Sequence, residues 1–443
     1  MLRLLLFLTF VIYLPVVIFK SDSFLLLLDL VVIFGTVVTV SSKKWIISLS
    51  KNSSIYAFFI FYIISVFLAF FLQSDISDFS ALKNLRNLIF GVGVFIISST
   101  YITDKVGLHA LLRTILWGSL LVGLYGYRQM FFGYWDFELD RLALMGSSLK
   151  EMDVLERFRI TSTFGDPLLC GFVMMVAVFV YLASRNMNLA PVITRAAHPM
   201  GLIIILGVLA SSLTRAPLLG LACGMVVVVA FNFQLTPKRL LRGAFFLLLI
   251  ILCISAITLI VESSLLADSN NYFIKVLNSA LGSVWSLTQL FVSSETSSNY
   301  FLVEQSRDQR SEAWGKGLDY LMAHPFGSGL SDITIFDFSM GDTGILKIAL
   351  LVGVPGALAM LAILVLVFII GAYQVIFLVA IEEKKIAVLF LGLWVSILVT
   401  NGITSILDGS VASILIWTAA GININLSRIF AIKKRKHPTV VST

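Results

Sequence analysis

Long runs of apolar residues, separated by shorter polar segments, make up most of the 443-residue chain. About 20 apolar residues in a helix cross the hydrocarbon core of a bilayer. We expect helices at residues 4–19, 24–40, 55–72, 88–103, 107–132, 167–184, 201–213, 216–233, 243–262, 344–372, 386–402 and 410–426. The pattern therefore predicts an all-α polytopic membrane protein of about 12 transmembrane helices, which form a single membrane domain over residues 1–443.

One apolar block, residues 201–233, is too long for an ordinary single span. Its interior carries the polar sequence Ser211-Ser-Leu-Thr-Arg215, and an arginine at the centre of a bilayer is costly. We therefore expect two short helices that meet at a turn on the membrane surface, with Arg215 in that turn.

Two polar segments are much longer than the other connections, at residues 133–166 and 263–343. The second has about 80 residues, and structureless connections of that length are uncommon in compact domains. We interpret residues 263–343 as a small folded cap over a cavity in the membrane domain. If the protein is an enzyme, we expect its chemistry to take place under this cap.

Charge predicts the orientation of the chain. Hydrophobic residues make up 58% of the sequence and charged residues 13%, and the net charge of +7 comes mainly from basic residues at helix ends. This balance therefore does not indicate a nucleic-acid partner. By the positive-inside rule, the basic short loops and the basic tail, residues 427–443, place both termini in the cytoplasm. Both long loops then face outward, into the periplasm if the cell has two membranes.

Two terminal segments have simple interpretations. The N-terminal apolar run lacks a small-x-small cleavage site, so we expect a retained first helix and not a signal peptide. The basic tail either only anchors the topology or also binds anionic lipid.

The basic residues that this orientation does not explain are the arginines on the outward side. They are Arg157, Arg159, Arg215, Arg307 and Arg310. A guanidinium group forms two parallel charge-assisted hydrogen bonds with a phosphate. The pattern therefore suits a lipid-linked pyrophosphate whose tail lies along the adjacent helices. In the alternative interpretation these arginines extend to lipid headgroups or pair with Glu156, Asp166, Asp308 or Glu312.

Two residues are candidates for a general base. His324 lies in the sequence His324-Pro-Phe-Gly-Ser-Gly329, and an imidazole can accept a proton at neutral pH. A structural role in a Gly-rich turn is the alternative. Asp342 lies where the cap re-enters the membrane. There its carboxylate either takes a proton from an acceptor hydroxyl or caps the following helix.

Acidic residues alternate along the first long loop, at Asp136, Glu138 and Asp140. Carboxylates are ligands for Mg²⁺ or Ca²⁺, and simple solvation of the three acids is the alternative. The sequence contains no Walker loop, no Gly-x-Gly-x-x-Gly cradle and no Cys/His zinc set. We therefore expect no metal and no cofactor.

Several motifs follow one another in a fixed order. They are Arg159-Ile-Thr-Ser-Thr-Phe-Gly-Asp-Pro167; Thr214-Arg215; Arg310-x-x-x-Trp314, followed by the sequence around His324; and Asp342-Thr-Gly-Ile-Leu346, leading to Gly353-Val-Pro-Gly356. With this order and topology, residues 155–360 resemble the O-antigen polymerase and O-antigen ligase superfamily of bacterial inner-membrane glycosyltransferases.

The resemblance implies a C-type glycosyltransferase fold and a glycan donor on undecaprenyl pyrophosphate, with no nucleotide sugar and no metal. The phosphate-binding arginines of the family correspond here to Arg215 and Arg310, which we expect Arg159 and Arg307 to support. The implied partners are an undecaprenyl-pyrophosphate-linked oligosaccharide, membrane lipid and a chain-length regulator.

The resemblance also bears on the reaction. Ligases usually carry a histidine-asparagine pair where this chain has Asp342-Thr343, so the resemblance favours a polymerase that joins glycan repeat units. Asp342 is then the first candidate for the base and His324 the second. Two other functions stay open: an O-antigen ligase that transfers the glycan to lipid A–core, and a transporter of lipid-linked glycan. A transporter is disfavoured because the charges gather on one face of the membrane and not at its centre.

Overall fold

We describe the chain from a computed structural model. The described residues are 2–3, 6, 10, 25–73, 79–136, 138–139, 160–164, 166–187, 197–212, 214–232, 315–330, 344–379, 383–404 and 410–430. Across these residues the structure is helical and contains no strand. The helices are α1 Leu25–Val40, α2 Lys43–Lys51, α3 Ser53–Gln73, α4 Phe79–Tyr101, α5 Lys105–Phe132, α6 Pro167–Asn186, α7 Ala197–Ser211, α8 Arg215–Asn232, α9 Gly344–Phe377, α10 Lys384–Ile403, α11 Ser410–Ile424 and α12 Leu426–Ile429.

Within the described residues, six helices are long and apolar enough to cross a bilayer. They are Ser53–Phe71, Ala81–Tyr101, Lys105–Phe132, Pro167–Asn186, Gly344–Phe377 and Lys384–Gly402. The bent pair of α1 and α2 would add a seventh span, and α7, α8 and α11 are shorter apolar helices. An all-α polytopic membrane protein is therefore confirmed, whereas the total of about 12 spans remains a prediction.

Several predicted features lie wholly or mostly outside the described residues. They are the helices at 4–19 and 243–262, the loop 133–166, the cap 263–343 and the basic tail 427–443. The cap, the single-domain organisation and the C-type glycosyltransferase fold therefore remain predictions.

The apolar block of residues 201–233 is divided where its polar residues predicted. Helix α7 ends at Ser211 and α8 begins at Arg215. This division keeps the arginine at a helix end and not in the middle of a span, which is the less costly position in a bilayer.

Small residues allow α8 to pack closely against α10. Gly220 and Gly224 lie one turn apart on α8 and face Gly392 and Ser396 of α10. A Cβ on Gly220 would lie 2.6 Å from the carbonyl oxygen of Ser396, and one on Gly392 would lie 2.7 Å from that of Gly224. Small residues four positions apart let membrane helices approach in this way. The contact fixes the beginning of α8 against the end of α10.

Helix α9 is broken at Gly353, whose φ of 84° and ψ of 171° are not helical. In an unbroken helix the N–H of Val354 would donate to the carbonyl of Leu350. Instead, Val354 N donates to the carbonyl of Pro325 over 2.9 Å. The Leu350 carbonyl accepts from Ser328 N over 2.7 Å. Residues 325–328 therefore complete the backbone hydrogen bonds that the break leaves open, as a non-helical segment of a membrane helix requires.

The contact between these two segments depends on glycine. Gly327 has a φ of 86°, which favours glycine, and a Cβ there would lie 2.6 Å from Gly353 N. A Cβ on Gly353 would lie 2.5 Å from the carbonyl carbon of Phe326. We call this contact between residues 325–328 and residues 350–354 the α9 junction.

Polar contacts between helix ends agree with spans that cross the membrane in alternating directions. Lys105, the first residue of α5, forms an ion pair with Glu383, which directly precedes α10. At the opposite end of the bundle, Asn84 of α4 donates to the carbonyl of Leu330 over 2.8 Å. We call this second end the outer end, because the positive-inside rule predicts that it faces outward; the membrane orientation itself remains a prediction.

The connection between the predicted helices at 24–40 and 55–72 carries Lys43, Lys44 and Lys51 and contains the helix α2. It is bent by 83° from α1. The side chain of Ser42 caps its N-terminus by accepting from Trp45 N. A short basic helix at this angle suits the plane of the membrane surface.

We predict that Gly353→Ala lowers the free energy of unfolding by about 1–3 kcal/mol, because alanine is strained at this φ and its Cβ meets residue 326. Thermal unfolding of the purified protein in detergent measures the change. Gly315→Ala is the control, since a Cβ there meets nothing within 4 Å. Equal unfolding temperatures for the two variants would contradict the α9 junction.

Candidate functional site

The segment 160–164, which follows Arg159, is held by the end of α5. The side chain of Gln129 accepts from Ser162 N over 2.7 Å and donates to Ser162 O over 3.2 Å. The hydroxyl of Ser162 donates to the carbonyl of Val122 over 2.5 Å. These bonds stabilise Ser162 at a φ of 51°, which residues other than glycine rarely adopt.

Gln129 is fixed in turn by Glu138, which is 4% exposed. The Glu138 carboxylate accepts from Gln129 Nε2 over 2.7 Å, from the Tyr125 hydroxyl over 2.8 Å and from Trp135 N over 2.7 Å. It also pairs with Arg128 over 2.7 Å. A buried ion pair holds its geometry when further hydrogen bonds satisfy its charges, as they do for this carboxylate.

Of the three acids of the first long loop, Glu138 is therefore engaged within the protein. Glu138 is neither a solvated acid nor a free metal ligand, because Arg128 and its other donors occupy both carboxylate oxygens. Asp140 lies outside the described residues. Among the residues that the structure does describe, no three His, Cys, Asp or Glu side chains form a metal-binding group.

Tyr134 adds a second contact between the end of α5 and the same segment. Burial raises the pKa of the Tyr134 phenol, and a hydrogen bond with Thr161 opposes that rise. The phenol is therefore neutral at physiological pH and helps to hold segment 160–164 in place.

Segment 160–164 also contacts the turn between α7 and α8. Ile160 N donates to the carbonyl of Ser211 over 3.2 Å. Ile160 directly follows Arg159 in the sequence, and Ser211 lies four residues before Arg215. The chain segments that carry these two predicted phosphate ligands therefore run next to each other at the outer end.

The end of α10 connects the beginning of α8 with the beginning of α9. The Thr400 hydroxyl lies 3.4 Å from the carbonyl of Ala216, the second residue of α8. The next residue, Asn401, lies against Gly344, where a Cβ would come within 2.6 Å of the Asn401 Oδ1. Gly344 begins α9 two residues after Asp342.

Residues 315–330 bring part of the predicted cap to the same end. They form a helical stretch and then a turn, which contacts α9 at the α9 junction. The hydroxyl of Ser328 donates a second bond to the Leu350 carbonyl over 3.0 Å. Together with the bond from Asn84 to Leu330, these contacts fix this part of the chain to α4 and α9.

A cleft lies between α3, α4, α9 and α11 at the outer half of the bundle. The volume that the centre of a water molecule can occupy in it is about 20 Å³, which is room for about one or two waters. The lining residues are Tyr62, Asn84, Asn87, Leu88, Gly344, Lys347, Ile348, Leu351, Met360 and Trp417. Amide and ammonium groups thus lie near the beginning of α9, and apolar side chains form most of the deeper wall.

The structure describes only some of the predicted site residues. Arg159, Arg307, Arg310 and Asp342 lie outside the described residues, and of Arg215 only the backbone position, as the first residue of α8, is described. His324 is exposed, and its ring stacks on Tyr320 with 4.4 Å between centroids. The roles of all six residues therefore remain predictions.

Sequence reasoning missed most of the polar residues of the outer end. Asn84 and Asn87 are one turn apart on α4, and Lys347 stands alone in a long apolar run. The available signals were the polar run of residues 83–87 at the beginning of α4 and the single lysine in the apolar α9. The pairing of Arg128 with Glu138 had a weaker signal, because the two residues are separated by the end of α5.

Comparison with known families supports the resemblance that the motifs indicated. Residues 200–346 match a family model described as O-antigen ligase. This range contains the α7–α8 turn, residues 315–330 and the beginning of α9. The match supports the O-antigen polymerase and ligase superfamily, and the prediction of that superfamily is confirmed. No curated protein matches the chain.

We predict that Glu138→Ala lowers the free energy of unfolding by about 3–5 kcal/mol, because it leaves the Arg128 guanidinium mostly buried without its carboxylate. The more exposed pair of Lys105 and Glu383 is the matched control, and Lys105→Ala should cost less than about 1 kcal/mol. Unfolding in detergent measures both variants, and a Glu138→Ala loss no larger than that of Lys105→Ala would contradict a structural role for the network.

Proposed function

We propose, from the O-antigen ligase family match at residues 200–346, that this membrane protein is a glycosyltransferase that joins glycan repeat units carried on polyprenyl pyrophosphate. The reaction would take place at the outer face of a bacterial inner membrane. The polymer would be O-antigen or a related polysaccharide.

One observation carries the proposal: separate motif segments meet at the outer end. Segment 160–164 contacts the α7–α8 turn, α8 and α9 begin against the same end of α10, and residues 325–328 join α9. Arg159, Arg215 and Asp342 are each within two residues of these contacts in the sequence. A site for one phosphorylated lipid needs such convergence of distant parts of the chain.

The proposed reaction is a direct displacement. A hydroxyl of the acceptor sugar attacks the anomeric carbon of the donor glycan, and the bond from that carbon to the pyrophosphate oxygen breaks. Asp342 takes the hydroxyl proton, with His324 as the alternative base. The electron pair leaves with the polyprenyl pyrophosphate, and the configuration at the anomeric carbon inverts.

Arginines would stabilise the charge that develops on the leaving pyrophosphate. Arg215 and Arg310 are the leading pair, and Arg159 and Arg307 support them. Fixed cationic donors in a site screened from water are effective because they need no reorganisation during the reaction. The cap would keep water from the donor, since hydrolysis is the competing reaction.

The choice between polymerase and ligase rests on Asp342-Thr343, which stand where ligases of the family usually carry histidine and asparagine. This difference favours the polymerase. The ligase is the second candidate, because the matching family model is described as O-antigen ligase.

Lipopolysaccharide from a strain without this protein separates the two activities. Loss of a polymerase leaves single repeat units attached to lipid A–core, whereas loss of a ligase leaves none attached. Purified protein incubated with lipid-linked repeat units alone should give longer glycans. If only unchanged substrate is recovered from correctly folded preparations, the protein is a transporter or needs another acceptor.

We predict that Arg215→Lys lowers the rate of glycan elongation about 10²–10³-fold, because lysine keeps the charge but loses the paired hydrogen bonds. Gel analysis of products from purified protein and lipid-linked repeat units measures the rate. Arg113→Lys is the matched control: Arg113 is exposed on the half of α5 near Lys105, away from the outer end, and its replacement should leave elongation unchanged. Elongation by Arg215→Lys at the wild-type rate would refute the bidentate role.

A further inference from the structure

Helix α2 lies at the inner end of the bundle, as we call the end opposite the outer end. The hydroxyl of Ser48, the buried residue of α2, hydrogen-bonds to the Tyr56 hydroxyl over 3.1 Å. The Tyr56 hydroxyl also hydrogen-bonds to the Ser99 hydroxyl, near the end of α4, over 2.8 Å. The ring of Trp45 packs edge-on against the ring of Tyr56, with 4.7 Å between the centroids. One face of α2 is therefore fixed to α3 and α4, and its other residues are exposed.

The lysines of α2 lie on one side of the helix. Successive helical residues turn by about 100°, so that Lys43, Lys44 and Lys51 fall within about 100° of one another. Among the described residues none of the three forms an ion pair, and the sequence has no Asp or Glu at residues 30–74. Lys44 Nζ lies 5.7 Å from the centroid of the Tyr101 ring. The three positive charges are thus available to an anionic partner.

Apolar side chains are exposed beside these lysines. Ile46 is 64% exposed, Ile47 49% and Leu49 37%. Ile46 and Leu49 are three positions apart and share a face of the helix, whereas Ile47 lies among the lysines. A helix that exposes apolar and basic residues together suits the boundary between lipid headgroups and acyl chains.

These features go beyond what a topological signal requires. Lysines that only set the orientation of a chain need to lie near the end of a span and nothing more. Helix α2 is in addition capped by Ser42 and bent by 83° from α1, so that it leaves the direction of α1. A basic amphipathic helix in the plane of the membrane surface is typical of segments that bind anionic lipid.

A further cation reaches the same part of α4 from a distant part of the chain. The side-chain amide of Asn425 donates to the Ser99 carbonyl over 2.6 Å, and its oxygen accepts from Arg428 Nη1 over 3.3 Å. Arg428 belongs to α12 and is partly exposed. The surroundings of α2 therefore add positive charge to that of its lysines, which complements an anionic surface.

We propose that α2 is a binding site for anionic phospholipid in the cytoplasmic leaflet, the side that the positive-inside rule predicts for the inner end. The ammonium groups of Lys44 and Lys51 bind the phosphate, while Ile46 and Leu49 lie among the first carbons of the acyl chains. A zwitterionic lipid offers the same phosphate, but its own cation offsets the charge. The inference goes beyond the proposed glycosyltransferase function and does not depend on it, because its residues lie at the other end of the bundle.

Trp45 is a natural reporter for this site, because its ring is only partly buried on α2. The full-length protein is placed in phosphatidylcholine vesicles that contain a small fraction of brominated phosphatidylglycerol or brominated phosphatidylcholine, since bromine quenches tryptophan fluorescence at short range. The difference in quenching between each protein and its Trp45→Phe version reports the lipid next to α2.

Removal of two lysines tests the assignment. Lys44→Gln combined with Lys51→Gln should lower the preference for phosphatidylglycerol over phosphatidylcholine about 20-fold, because each lysine near an anionic headgroup contributes about fivefold. Both lysines are exposed, so the unfolding temperature in lipid-free detergent should equal that of wild type.

The matched control removes the same charge from another helix at the inner end. Lys384 and Lys385 begin α10 and are absent from α2 and its contacts. Lys384→Gln combined with Lys385→Gln should therefore keep the wild-type preference at Trp45.

Three results would overturn the proposal. The first is equal quenching of Trp45 by the two brominated lipids in wild type. The second is a loss of preference in the α10 variant as large as that in the α2 variant, which would assign the preference to the general charge of the inner end. The third is an absence of quenching by either lipid, which would mean that protein and not lipid covers α2.

Discussion

The need to satisfy every backbone hydrogen-bonding group inside a membrane is the constraint on which this structure depends. A continuous α9 would meet it alone, but α9 is broken at Gly353 and so needs partners from another segment. Residues 325–328 supply them through Pro325 O and Ser328 N. The consequence is that a part of the chain predicted to belong to the extracytoplasmic cap is held against a membrane helix by its backbone. Gly327 and Gly353 permit that approach, because a Cβ at either position would meet the backbone of the other segment.

Close packing elsewhere brings the remaining segments to the same end. The small residues between α8 and α10 put the beginning of α8 beside Thr400 and Asn401, and Asn401 lies against the beginning of α9. The buried Glu138 holds Gln129, which holds segment 160–164 against the end of α7. These contacts hold the beginnings of α8 and α9 and segment 160–164 against their neighbours at the outer end. The proposed reaction requires such fixed positions, because fixed donors stabilise a leaving pyrophosphate without reorganisation.

Much of the fold could be predicted from the sequence, because hydrophobic runs and the cost of a buried charge are local properties. The division of α7 from α8 followed from Arg215 in this way. Helix α2 could not be predicted in this way, because its nine residues of mixed polarity do not form a long apolar run. Two of the segments that the arginine hypothesis named, at residues 160–164 and at the α7–α8 turn, run next to each other. The contacts of Thr400 and Asn401 could not be recognised, because contacts between distant parts of the chain are visible only in three dimensions. The pairing of Glu138 with Arg128 depends likewise on how the chain folds back after α5.

The central claim is that separate segments at the outer end hold one lipid-linked pyrophosphate. Photo-crosslinking of the donor lipid tests this claim most directly. A polyprenyl pyrophosphate with a diazirine in the isoprene unit next to the phosphates would be bound to the purified protein, irradiated and mapped by mass spectrometry. We predict labels in the peptides that contain residues 157–167, 211–216 and 340–351, and loss of these labels when unlabelled lipid competes. Labels confined to the lipid-exposed surfaces of α1 and α3, unaffected by competitor, would contradict a shared site and with it the proposed reaction.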